Sequence, residues 1–164
     1  AQYFKDRDLS NTVVVSPDLG NAKDATRFAR LLGLPVAAGT KQRVSDDKVI
    51  IDMIVGDVEG KNVIIMDDEI ATGGSIIELI DRLRERNVKD IAVTCTHGIF
   101  SGHAIERFRA HPDINEVVTT NSVPIAEDKM LPHMTVLSVA SLLAETIRRI
   151  HNGESVSSLF VDTL

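Results

Sequence analysis

Short runs of β-branched and aliphatic residues alternate along this chain with amphipathic stretches, and this alternation restricts the fold more than any other feature. A β-branched run suits a pleated strand, and the stretch between two runs is long enough to return the chain for parallel pairing. The pattern predicts βα units packed as a parallel sheet with helices on its faces. Candidate strands are Thr12 to Ser16, Pro35 to Ala38, Val63 to Met66, Asp90 to Thr96, Glu116 to Thr119 and Thr135 to Leu137. Val49 to Val55 is almost continuously apolar and is read as a further strand, a short buried helix being the alternative with the same composition.

Three helices follow from periodicity. Ala22, Ala25, Phe28, Ala29 and Leu32 recur at three- and four-residue steps, with Gly33 placed to end the helix. A second helix is expected from Ser75 to Asn87, with Ser75 as its N-cap and Ile76, Leu79, Ile80 and Leu83 turned inward. A last helix, Ser138 to Ile150, should bury Val139, Leu142, Leu143 and Ile147 and end near Gly153. Thr40 to Lys48 (TKQRVSDDK) is charged and aperiodic, and is expected to be a mobile polar segment; the tail from Glu154 is unassigned.

At 164 residues the chain can bury one core, so one domain is expected. A net charge of −6 gives no general basic field to attract nucleic acid or an anionic membrane. No apolar run is long enough to span a bilayer and Ala1 to Asp8 lacks a signal-peptide layout, so a cytoplasmic protein is expected. The single cysteine, Cys95, lies in an apolar run and reads as a buried structural thiol.

The segment VIIMDDEIATGGS sets an apolar strand before Asp67 and Asp68, then Thr72-Gly73-Gly74-Ser75, then a helix. Glycines let backbone N–H groups approach an anion closely, hydroxyls add donors, and the helix N-terminus carries about half a positive charge. Carboxylates accept hydrogen bonds from hydroxyls but repel phosphate, so a sugar diol would lie at the acidic end and a phosphate at the glycine end. The same residues would also make a plain turn. Asp67 and Asp68 alternate faces on an extended strand, which suggests that the strand is ending there. Asp18 falls at the mouth of the first strand, where open parallel sheets place ligands, or is simply an acid ending a strand. His97, before Gly98, ends another strand and serves packing or function equally well.

MDDEIATGGS resembles the phosphoribosyl-diphosphate loop of type I phosphoribosyltransferases and of ribose-phosphate pyrophosphokinases. VVVSPDLGNAK, TKQR, GDVEGK, THGIFSGHAIERF and AETIRRIHNGESVSSLF are similar to the pyrophosphokinases specifically, and cover nearly the whole chain. The resemblance implies a Rossmann-like α/β domain of the type I phosphoribosyltransferase fold, with Asp67 and Asp68 on the ribose hydroxyls and Ala71, Thr72, Gly73, Gly74 and Ser75 on the 5-phosphate. It implies a catalytic Lys-x-Arg on a mobile loop, matched by Lys41 and Arg43, and Mg²⁺ at Asp18. The family often has Asp at the position of Ala71 and an apolar residue at that of Glu69, so ionic roles are not carried to those two positions.

The implied activity is ATP:ribose-5-phosphate diphosphotransfer, which gives 5-phosphoribosyl 1-diphosphate and AMP. The family also implies homo-oligomers, often hexamers. The resemblance starts in the middle of the family's chain, so residues 1–164 are expected to be a C-terminal half lacking a first domain that holds most adenine contacts. Alternatives are a non-catalytic associate of that enzyme, or a phosphoribosyltransferase that consumes its product.

Overall fold

The structure, a computed structural model, describes residues 1–45 and 48–159, with the side chains of residues 41–50 left outside the description. Seven strands form one sheet in the order β3-β2-β1-β4-β5-β6-β7. They are β1 (Thr12–Ser16), β2 (Val36–Ser45), β3 (Lys48–Val55), β4 (Asn62–Ile70), β5 (Ile91–Gly98), β6 (Ile114–Thr120) and β7 (Met134–Leu137). All neighbours pair in parallel except β2 and β3, an antiparallel pair at one edge. Among the described residues there are four α-helices, α1 (Ala22–Leu32), α2 (Gly74–Arg84), α3 (Ala104–Arg109) and α4 (Ala140–His151), and two short 3-10 turns, Glu127–Lys129 and Ser157–Leu159.

Every residue of β1 is buried, as expected of a central strand covered on both faces. Side chains alternate between two cores. Val13, Val15, Val63, Ile65 and Val93 pack with Leu79, Leu83 and Phe108 from α2 and α3. Val14, Ile64 and Val118 pack with Ala25 and Ala29 of α1 and with Phe4. The segment bearing Phe4 is tied down by Arg7, which donates to Glu116 Oε1 at 3.0 Å, and by the Tyr3 hydroxyl, which donates to the same oxygen at 2.5 Å.

The expected parallel α/β sheet with helices on both faces is therefore present, and Val49 to Val55 is a strand. Three local expectations are corrected. The second strand does not stop at Ala38: β2 continues to Ser45, placing Lys41 opposite Ile51 and Arg43 opposite Val49. Backbone pairing across a hairpin does not require apolar side chains, so a polar composition hid this extension. Residues 46 and 47 of the expected polar loop lie outside the described residues.

The second helix begins at Gly74, with Gly73 as N-cap in the left-handed conformation, and ends at Arg84; Ser75 lies inside its first turn. The last helix, α4, buries none of its residues. Leu142, Leu143 and Ile147 are 44%, 55% and 67% exposed, and Val139 precedes the helix half-buried. Periodicity marks an apolar face without showing whether anything covers it. Among the described residues no helix is long and apolar enough to cross a membrane.

Candidate functional site

From β1 the chain passes through α1 to β2 on one flank, while β4 takes the other flank of β1. Connections that diverge in this way leave a crevice beyond the C-terminal ends of the two strands, the usual ligand position in an open α/β sheet. β4 pairs with β1 only as far as Ile65, opposite Val15, but runs on against β5 to Ile70. The strand thus continues past Met66, where the sequence suggested an end, and carries Asp67 and Asp68 along a flank that β1 has already left.

Asp67 is half-buried there. Its Oδ1 accepts from the side-chain amide of Asn21 at 3.0 Å and from the backbone N–H of Asp68 at 3.0 Å. Asn21 occupies the N-cap position of α1 but makes no side-chain cap. Its backbone N–H donates to Asp18 Oδ1 at 2.9 Å, and Ser16 Oγ donates to the Asp18 carbonyl at 2.7 Å. One asparagine therefore ties together the acid just beyond β1 and the acid on the extended part of β4. Burial, reinforced by the neighbouring Asp68 and Asp18 charges, pushes the Asp67 carboxyl up to about 7.

Sequence reasoning missed Asn21. An Asn opening a helix is ordinarily counted as a cap, and its position in SPDLGNAK, three residues after Asp18, was the available signal.

At the other end of the loop, Gly73 has φ 72°, and a Cβ on it would meet Phe108 Cε2 at 2.9 Å. Only glycine fits both conditions. The first turn of α2 contains no acidic residue and receives no side-chain cap, so its N–H groups stay available to an anion. The loop backbone is held from the β5–α3 connection and from α3: Phe100 N–H donates to the Ile70 carbonyl at 3.0 Å, Ser101 N–H to the Ala71 carbonyl at 2.9 Å, and Arg107 Nη1 to the Thr72 carbonyl at 2.8 Å.

The structure thus brings Asp18, Asp67 and Asp68 to the mouths of adjacent strands and sets Ala71, Thr72, Gly73, Gly74 and Ser75 directly beyond them. Glu69 is exposed on β4 and pairs in register with His97 of β5. The His97 ring Nδ1 lies 2.9 Å from Ser122 Oγ. Lys41 and Arg43 are fixed in backbone register only, their side chains falling outside the description. Cys95 is buried, as expected, and burial raises its thiol to about 11.

Among the described residues no group of three or more His, Cys, Asp or Glu side chains is placed to hold a metal. A closed protein cage is not what Mg²⁺ needs, because it commonly takes one or two carboxylates and completes its shell with water and substrate oxygens. The mutual repulsion of Asp18, Asp67 and Asp68 marks a crevice that a cation would stabilise. Chemically, the site offers carboxylate acceptors at one end and backbone N–H donors at the other.

Comparison with known proteins gives a concordant result. The sequence pattern of the phosphoribosyl synthetase-associated domain matches residues 42–161. A Streptomyces coelicolor relative, provisionally named a ribose-phosphate pyrophosphokinase, is 54% identical over 98% of this chain and 50% of its own length. A ribose-phosphate pyrophosphokinase of Synechococcus elongatus is 42% identical over 96% of this chain and 48% of its own. The crystal structure of phosphoribosylpyrophosphate synthetase from Mycobacterium smegmatis superposes with a TM-score of 0.79 at 41% identity, covering 93% of this chain and 48% of that one. The chain spans about half the length of the curated relatives it matches, and its sheet is that of the type I phosphoribosyltransferase fold. A family pattern over most of the chain and the agreement of both sequence and fold lead to one conclusion: the chain belongs to the phosphoribosyl synthetase-associated domain family, whose longer relatives are named ribose-phosphate pyrophosphokinases.

Proposed function

We propose that this chain is the ribose 5-phosphate-binding half of a ribose-phosphate diphosphokinase, which transfers the diphosphoryl group of ATP to the 1-hydroxyl of ribose 5-phosphate and releases AMP. The observation that carries this reading is the course of β4: it bears Asp67 and Asp68 along the crevice and leads within a few residues to the uncapped N-terminus of α2. Hydroxyl acceptors and phosphate donors are then spaced along one backbone, which suits a phosphorylated sugar.

In this mechanism Asp67 and Asp68 accept hydrogen bonds from the ribose hydroxyls, and Asn21 keeps the Asp67 carboxylate in place. Backbone N–H groups of residues 72–75, with the Thr72 and Ser75 hydroxyls, hold the 5-phosphate. The sugar 1-oxygen bonds to the β-phosphorus of ATP as the bond from that phosphorus to the α,β-bridging oxygen breaks, AMP leaves with that oxygen, and the hydroxyl proton passes to solvent. Charge builds on the moving and leaving phosphates, and Lys41 and Arg43 supply cations against it. Asp18 and Asp67 would hold Mg²⁺, which when bound neutralises phosphate charge and orients the oxygens. The active form in this reading is a cytoplasmic homo-oligomer that includes a first domain beyond this chain, with His97 as a further candidate contact.

Calorimetry with ribose 5-phosphate and Mg²⁺ tests the binding half: saturable heat that Asp68→Asn diminishes is expected, and its absence would leave a non-catalytic associate as the better reading. The transfer step is tested in a chimera in which this chain replaces the matching half of the Streptomyces coelicolor relative. AMP release from ATP, dependent on ribose 5-phosphate, should appear there.

A further inference from the structure

Apart from His97, the stretch THGIFSGHAIERF has no role in the mechanism above, yet it forms the wall against which the phosphate loop rests. Phe108 is fully buried beside Gly73, and Arg107, next to it on α3, is exposed and reaches the loop itself. Its Nη1 donates to the Thr72 carbonyl at 2.8 Å and lies 3.5 Å from the point where a Cβ on Gly74 would sit. Among the described residues no carboxylate forms an ion pair with Arg107. A guanidinium carries five N–H donors, so one hydrogen bond leaves others to act at the loop mouth.

We propose that Arg107 is a positioning residue for the 5-phosphate: it holds the Thr72 carbonyl out of the anion's path and places a cation beside the glycine turn. The inference rests on the phosphosugar reading of this loop. A carbonyl oxygen turned toward a phosphate would repel it, whereas one engaged by a guanidinium leaves the neighbouring N–H groups facing the anion. α3 is rigid enough for this task, because Phe108 locks it against Gly73 and the Arg107 carbonyl meets His111 Nδ1 at 2.6 Å.

The test is titration of the chain with ribose 5-phosphate and, separately, with inorganic phosphate, followed through the Gly73 and Gly74 amide resonances and by calorimetry. Arg107→Ala should weaken both ligands about tenfold at an unchanged Tm, and Arg107→Lys should recover part of the loss. Asp67→Asn, as a control on the sugar end, should weaken ribose 5-phosphate but not inorganic phosphate. If the wild-type chain binds neither ligand, the phosphosugar reading fails and this inference falls with it. If the wild-type chain binds and Arg107→Ala binds equally well, Arg107 alone is wrongly assigned. A loss of affinity that appears only with a lower Tm, in both Arg107→Ala and Arg107→Lys, would make Arg107 a structural prop and also overturn the proposal.

Discussion

Replacing Asp67 with Asn should stabilise the fold in a way that depends on pH. The carboxyl is raised from the usual 3.8 to about 7, first by burial and then by the charges of Asp68 and Asp18. This displacement corresponds to about 4 kcal/mol, at 1.4 kcal/mol per tenfold in proton affinity. Because the side chain is only half-buried, solvent screening reduces it to about 2 kcal/mol. Below about pH 4 the carboxyl is protonated in the folded and unfolded chains alike and costs nothing. Between about pH 4 and 7 the unfolded chain ionises first, so stability falls as pH rises; above about pH 7 the deficit is complete.

Asn retains the oxygen that accepts from Asn21 and from the Asp68 N–H, and removes the charge. Urea unfolding at pH 4, 6 and 8 should show the variant equal to wild type at the lowest pH and about 2 kcal/mol more stable at the highest. A gain that does not vary with pH, or a less stable variant at pH 8, would refute the argument that burial of this acid opposes folding. Loss of ribose 5-phosphate affinity in the same variant would show that the cost is retained for binding.

Three further outcomes follow from the geometry. Gly73→Ala places a Cβ at φ 72° and 2.9 Å from Phe108, and should cost at least about 1 kcal/mol in thermal unfolding while weakening ribose 5-phosphate in calorimetry. Lys41→Ala with Arg43→Ala in the chimera should reduce AMP release by two orders of magnitude or more, roughly, with ribose 5-phosphate affinity unchanged; normal turnover would remove their catalytic role. Cys95, buried and raised to about 11, should resist a thiol reagent in the native chain at pH 8 and react at the rate of unfolding, so a fast native reaction would contradict its burial.

Much of the sheet was legible because the strands with the strongest β-branched character, such as Thr12 to Ser16 and Val63 to Met66, are covered on both faces and can tolerate little else. The extension of β2 was illegible for the converse reason: Lys41 and Arg43 pair through their backbones, which composition does not record. The phosphate loop could be placed from glycines and acids alone. Its supports could not, because Asn21 lies 46 residues from Asp67, and Arg107 lies 35 residues from Thr72. Gly73 displaced Ser75 as N-cap because a left-handed residue packed on Phe108 must be glycine, a tertiary condition that cap preferences do not contain.

The exposed flank of α4 has a consequence for how the molecule opens. Twelve residues make a helix that is marginal in water by itself, and this one buries no side chain. What orders it is largely its own ion pairs, in which Glu145 meets both Arg148 and Arg149 and Arg148 also meets Glu154. Such exposed pairs are worth under about 1 kcal/mol each and weaken as salt screens them. Amide hydrogens of α4 should therefore exchange through local openings that leave β1 and β4 intact, and do so faster at high ionic strength. Helix α4 is then a separate cooperative unit, able to melt and re-form while the crevice between β1 and β4 keeps its shape.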